Sequence, residues 1–246
     1  ITTSGTTAAQ AHQLTIQGTS GTLTPTTRVT VTVKTPAPAP VPTPTPVPTP
    51  TPVPTPVPTP VVTGAYNIGT PTLRDIWVNP STGNDANDGN VARPVRTIRA
   101  AWNLIPSGTP TQTGYRLMIK AGTYNDSQVP DNSWYEGRRG TYQFPIIFQA
   151  ADGAGTVIIP NPNFYDNSYL YLIGLKAVSG GGDILHFEKS SHILLRDITL
   201  IGQNRGPQEG LKINQSQYVY VENSDISGAW DNAIDFVGVQ YGHIIN

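Results

Sequence analysis

The sequence predicts an all-β chain whose main domain is a parallel β-helix, and three observations lead there. Blocks 184–195, 210–221 and 233–244 share one register, offset by 26 and then 23 residues, and a partial earlier copy, Tyr169 to Leu175, precedes the matching part of the first block by 23. Fixed periods of this size mark solenoids. When the blocks are superposed, Leu185 and Phe187 fall on Leu211 and Ile213 and on Ile234 and Phe236, while Ile193/Leu195, Val219/Val221 and Gly242/Ile244 make a second apolar wall. The runs are short, β-branched and separated by Gly, Asn and Ser, without the Leu/Asn consensus of leucine-rich repeats. Asp197, Asn223 and Asn246 then form a polar column after the second strand, where stacked side chains satisfy turn backbone groups.

The segments before the solenoid follow in order. Residues 1–34 hold two alternating runs, His12–Ile16 and Arg28–Val33, joined through Gly18 and Gly21. Period-two alternation with β-branched residues reads as an antiparallel hairpin, and two strands alone are marginal in water. The hairpin therefore reads as the C-terminal strands of a β-sandwich; it resembles the last strands of immunoglobulin-like or cadherin-like repeats of bacterial surface proteins. Residues 35–65 form a linker, because every second residue from Pro36 to Pro60 is proline. That alternation favours polyproline II, a semi-rigid spacer of roughly 80 Å at about 3.1 Å per residue. The tract lacks the Arg or Lys that would orient it as an SH3-type ligand, and its threonines suit O-glycans on an extracellular stalk. Residues 66–246 carry nearly all the aromatic and charged side chains and form the β-helix domain. The chain begins and stops inside strand-like sequence, so it reads as a piece of a longer protein.

Composition narrows the function. The 246 residues carry a formal net charge of -1, which gives no electrostatic footprint for nucleic acid. No apolar run approaches the roughly 20 residues of a transmembrane helix. The absence of cysteine excludes a disulfide scaffold and thiolate-bound zinc. No Ser-His-Asp order, nucleophile elbow, P-loop, dinucleotide fingerprint or HExxH motif occurs.

The start of the solenoid has its own signature. Ile98, Ala101, Trp102 and Ile105 lie at helical spacing, with Thr97 as N-cap and Pro106-Ser107-Gly108 as a stop. Such a helix plugs the open end of a coil that would otherwise expose core and strand edges. Trp77 to Gly89, then Pro94 to Trp102, and later Lys120-Ala121-Gly122-Thr123-Tyr124, resemble the opening of bacterial right-handed parallel β-helix proteins of the pectate-lyase-like superfamily. The likeness covers Asp75 to Asn246. It implies a secreted or cell-surface protein, monomeric as a β-helix, that binds and in some members cleaves an extended polysaccharide.

The candidate site follows from the register. His186, Lys212 and Asp235 share one outward column, and Glu188, Asn214 and Val237 the next, on a long shallow face suited to a polymer. The resemblance implies lyase chemistry on uronate polymers, with Lys212 as the base and Ca²⁺ held by Asp231 with Asp235 or Glu209. Against it, Asp235 beside Lys212 holds the amine protonated, as in an ordinary cross-strand pair. The loop Asn84 to Gly89 offers Asp85 and Asp88 as further Ca²⁺ ligands, although Asn, Asp and Gly are also ordinary turn residues. Trp134 to Gly140 reads as a long connection, either an ordinary packed loop or one that supplies a sugar-stacking aromatic beside cations. His192 and His243 read as structural or surface residues. A hydrolase needs only two carboxylates on adjacent coils, and a non-catalytic adhesin or structural module needs none, so the reaction stays open.

Overall fold

A computed structural model describes residues 11–17, 22, 26–32, 65–178, 181–204 and 208–245. The proline tract lies outside the described residues. The chain divides into two units, Ile1–Thr59 and Pro60–Asn246. In the first, Ala11–Gln17 and Thr26–Thr32 pair antiparallel with Leu14 opposite Val29, the expected hairpin.

The second unit is a parallel β-helix of three sheets. Its first sheet stacks seven strands: Leu73–Val78, Gly114–Ile119, Ile146–Ala150, Ser168–Ile173, Ser191–Arg196, Gln217–Glu222 and Gln240–Ile245. The second stacks Gly122–Thr123, Val157–Ile159, Leu175–Val178, Thr199–Ile201 and Asp225–Ser227. The third stacks Trp134–Glu136, Asn163–Tyr165, Leu185–Glu188, Leu211–Asn214 and Ile234–Val237. Each strand pairs in parallel with its counterpart one coil away, and the third sheet keeps the expected register, Leu185 on Leu211 on Ile234. The repeat begins earlier than the partial copy at Tyr169 suggests. Trp134–Glu136, expected in a long connection, is the first strand of the third sheet, because Tyr135 points inward between two polar neighbours as the pleat requires.

The core is a pile of columns. On the third sheet Tyr135, Phe164 and Phe187 stack at centroid separations of 4.8 and 4.7 Å, nearly parallel, and Ile213 and Phe236 continue the line. Ile193, Leu195, Val219 and Val221 are buried as expected, but Ile244 is exposed, since the last strand of its sheet has a neighbour on one side only. Helix Ile98–Asn103 covers the first coils: Thr97 accepts from the Ala100 N–H, and buried Trp102 lies 5.3 Å from Tyr135 and 5.7 Å from Phe148, ring to ring. Asp197 and Asn223 occupy one turn column with φ of 55° and 43°, where Asn223 Nδ2 donates to Asp197 Oδ1, while Asn246 lies outside the described residues.

The middle of the first sheet is buried on both sides, which alternation alone does not reveal. Ile147, Tyr171, Leu194 and Tyr220 face outward yet form a second apolar cluster, covered by Tyr66, Ile68 and Leu73. The chain entering the domain thus runs as a strap over the sheet. Its anchor is ionic: Arg196 donates to Glu222 Oε2 at 2.9 Å and to the Tyr66 carbonyl at 2.6 Å, while the Tyr66 N–H donates to Glu222 Oε1. The Tyr66 ring lies 4.6 Å from Tyr220, its hydroxyl lies 3.1 Å from that of Tyr171, and burial pushes its pKa up to about 12. Glu222 is 5% exposed and Arg196 24%. Glu222→Ala should therefore lower stability by about 2 kcal/mol, less than the roughly 3–5 kcal/mol of a fully buried broken pair. Urea unfolding checks this, and an unchanged midpoint would remove the strap's ionic anchor from the account.

Candidate functional site

The third sheet presents two outward columns. One runs Trp134, Asn163, His186, Lys212, Asp235, and the other Glu136, Tyr165, Glu188, Asn214, Val237. The substrate-face residues expected from sequence, His186, Glu188, Asn214 and Asp235, thus lie on one surface with Lys212. Parallel pairing sets the spacing: adjacent coils lie about 4.8 Å apart, so each side chain meets its counterparts above and below.

The polar end of the face is internally paired. Lys212 Nζ lies 3.3 Å from Asp235 Oδ2. Burial disfavours the charged amine, but the Asp235 hydrogen bond and the charges of Asp183, Asp235 and Glu209 outweigh it, and the pKa of Lys212 is raised. The base proposed from resemblance is therefore held protonated, the form that cannot abstract a proton. His186 behaves oppositely. Burial lowers its pKa against the pull of Asp183 and Glu188, with Lys212 adding to the lowering. A neutral ring can accept at Nε2 from Asn214 Nδ2, 3.2 Å away. Asn214 Oδ1 is buried without a partner among the described residues, an acceptor left for a ligand N–H or O–H.

The aromatic end was only half legible. Trp134 and Tyr165 stack at 5.7 Å, and the Trp134 indole N–H donates to Glu136 Oε2 at 2.8 Å. Lys189 Nζ donates to the Tyr165 hydroxyl at 2.8 Å and lies 3.7 Å from Glu188. Sequence reasoning singled out Trp134 but missed Asn163 and Tyr165; the alternation Asn163-Phe164-Tyr165, apolar between two polar-tipped residues, was the available signal.

The expected metal ligands do not meet. Asp85 accepts from the Arg96 and Thr97 N–H groups and from Thr97 Oγ1, so both its oxygens pin the start of the helix. Asp88 is paired with Arg93 at 3.0 Å, which lowers its pKa. Exposed Asp231 lies on another loop, with its N–H bonded to the Gln208 carbonyl. Among the described residues no group of three or more His, Cys, Asp or Glu is arranged for a metal ion. This donor set does not fit Ca²⁺, which takes about 6–8 oxygens. The two lone histidines pack against tyrosines: His192 is sandwiched between Tyr169 and Tyr218 at 4.1 and 4.6 Å, and His243 lies 4.7 Å from Tyr220.

Two outcomes test these protonation states. An NMR titration of the full chain should place the Lys212 midpoint above 10.5, and Asp235→Asn should bring it down. A midpoint below 10.5 in the parent protein would reinstate the amine as a proton acceptor. For His186 and His192, both shifted down by burial, the unfolded state binds protons first as pH falls below 6.5. Their contribution to stability is thus present above that pH and lost on acidification through the lowered values. The thermal midpoint should fall on acidification and fall less in His186→Gln; an identical fall in the variant contradicts the assignment.

No protein-family model matches the chain, and no curated protein matches it. Among solved structures the chain is similar to the native GH136 lacto-N-biosidase from Eubacterium ramulus, at 13% identity and a TM-score of 0.33 over 61% of this chain and 33% of that one. It is likewise similar to the selenomethionine derivative of that protein, at 14% identity and 0.32 over 70% and 34%. The chain spans about a third of the length of those structures.

Proposed function

We propose that the third sheet is a polysaccharide-binding face, on which an extended chain of sugar units lies along the solenoid axis from Trp134 toward Asp235. The observation that carries this reading is the pair of unbroken outward columns, which combine a stacked aromatic pair with imidazole, amide, amine and carboxylate groups at one coil's spacing. Sugar rings present apolar C–H faces to aromatics and hydroxyls to polar side chains, so this mixture suits them. The second sheet lacks it, its outward column being Thr123, Ile158, Lys176, Thr199 and Asp225 with no aromatic, and on the first sheet the Tyr169–His192–Tyr218–Tyr241 ladder stands beside a column that the strap covers. A face that reads long polymers fits a secreted or cell-surface setting, with residues 35–65 as a spacer and 1–34 as the end of a β-sandwich.

Cleavage is a second reading, favoured by one observation: neutral His186 adjoins protonated Lys212 in the same column. In a β-elimination the imidazole would take the C5 proton beside a uronate carboxylate, and the ammonium would stabilise the negative charge that develops on that carboxylate. The electron pair would then form the C4–C5 double bond as the C4–O glycosidic bond breaks and the departing oxygen takes a proton from solvent. A non-catalytic binding module makes no such demand.

Isothermal titration of the full chain against a polysaccharide panel should show binding, weakened about tenfold by Trp134→Ala, as expected for losing one stacking aromatic. Failure to bind any member sinks the reading. Ultraviolet absorbance of unsaturated products, lost in His186→Ala, separates the lyase from the binding module; binding without product leaves the module.

A further inference from the structure

Besides Lys212 and Lys189, Arg138 brings a further cation to the face, and its circumstances differ. Arg138 follows the first strand of the third sheet, where two open cavities of about 440 and 380 Å³ meet; Glu136 and Arg138 line both. Tyr165 borders one cavity and Trp134 the other. The guanidinium lies 4.4 Å from the Trp102 ring centroid, with Nε donating to the Ile105 carbonyl and one terminal nitrogen to the Glu136 carbonyl, both at 3.1 Å. These contacts fix the plane of the fork from behind.

The surrounding charges are paired except at Glu136, whose carboxylate meets only the neutral Trp134 indole. Arg99 pairs with Asp131 at 2.8 Å, and Arg139 pairs with Asp166. The Glu136 carboxylate accepts from the Trp134 indole, and Arg138 receives only its backbone carbonyl. Among the described residues Arg138 has no carboxylate within ion-pair distance, whereas Lys212 has Asp235. Burial lowers the pKa of Arg138 with no opposing charge, the state of a half-desolvated cation lacking a counter-ion. A planar fork held rigid and unpaired matches a carboxylate in two parallel hydrogen bonds better than a rotating ammonium does.

We infer that Arg138 forms an anion subsite at the helix-capped end of the binding face, taking the carboxylate of an acidic sugar unit while the neighbouring unit stacks on Trp134 and Tyr165. This rests on the polysaccharide-binding reading and adds where acidity is recognised: at Arg138, and not at Lys212, whose charge Asp235 has neutralised.

The test is calorimetric titration of the full chain with matched oligosaccharides in neutral, uronate and sulfated forms. The uronate form should bind at least about tenfold tighter than the neutral one, the usual scale of a charge-assisted bond. Arg138→Lys, which keeps the charge and loses the fork, should cut that advantage severalfold, and Arg138→Gln should abolish it, each read as the ratio of uronate to neutral binding by the same variant. Equal binding of neutral and uronate forms overturns the subsite and leaves the binding face standing; no binding at all overturns both. A preference that survives in Arg138→Gln, or tighter binding of the sulfated form, also overturns it. Should Arg138→Gln fail to fold, glucuronate added to the parent protein should slow dicarbonyl modification of Arg138 read by mass spectrometry, and an unchanged rate counts against the subsite.

Discussion

Parallel, in-register stacking of each coil on the next is the constraint on which everything else depends. It spaces equivalent residues about 4.8 Å apart, so any side chain must be compatible with its own counterparts above and below. Inside, this selects flat rings and branched aliphatics that stack face to face, as Tyr135, Phe164 and Phe187 do. At turns it selects residues that tolerate the left-handed region and bond to their own kind, as Asn223 bonds to Asp197. Outside, it turns substitutions into columns, and a column is the only kind of site the fold can readily build. A site on such a face is consequently linear and spread over several coils.

The same rule explains why proximity on the face is weak information about chemistry. Lys212 and Asp235 are neighbours because the register makes them so. What distinguishes one outward residue from another is its electrostatic surroundings. Lys212 meets opposite charge from three carboxylates, while His186 is dried more than it is attracted.

Much of this was legible in the sequence because columns are one-dimensional patterns. The offsets of 26 and 23 residues fixed the register of Leu185, Leu211 and Ile234 before any coordinates. Thr97 and its helix were readable because capping is local. Other features were hidden because their partners are remote. Tyr66 finds Glu222 across 156 residues, and Arg138 finds Ile105 across 33. Asp85 looked like a metal ligand from its Asn/Asp/Gly surroundings, yet its oxygens bond to backbone groups 11 and 12 residues ahead. The strand Trp134–Glu136 escaped because three residues are too short for alternation to declare itself.

The strap over the first sheet has a mechanical consequence. In sequence, Tyr66 lies seven residues before Leu73, where the first strand begins, yet it is fastened to Arg196 and Glu222 several coils further on. A pull transmitted through the preceding polypeptide is therefore received first by the fifth and sixth strands of the stack, and it loads the ion pair and the tyrosine packing in shear. The terminal strand, which alone would peel away one hydrogen bond at a time, is shielded until that fastening yields. A solenoid wired this way resists being unzipped from its first strand.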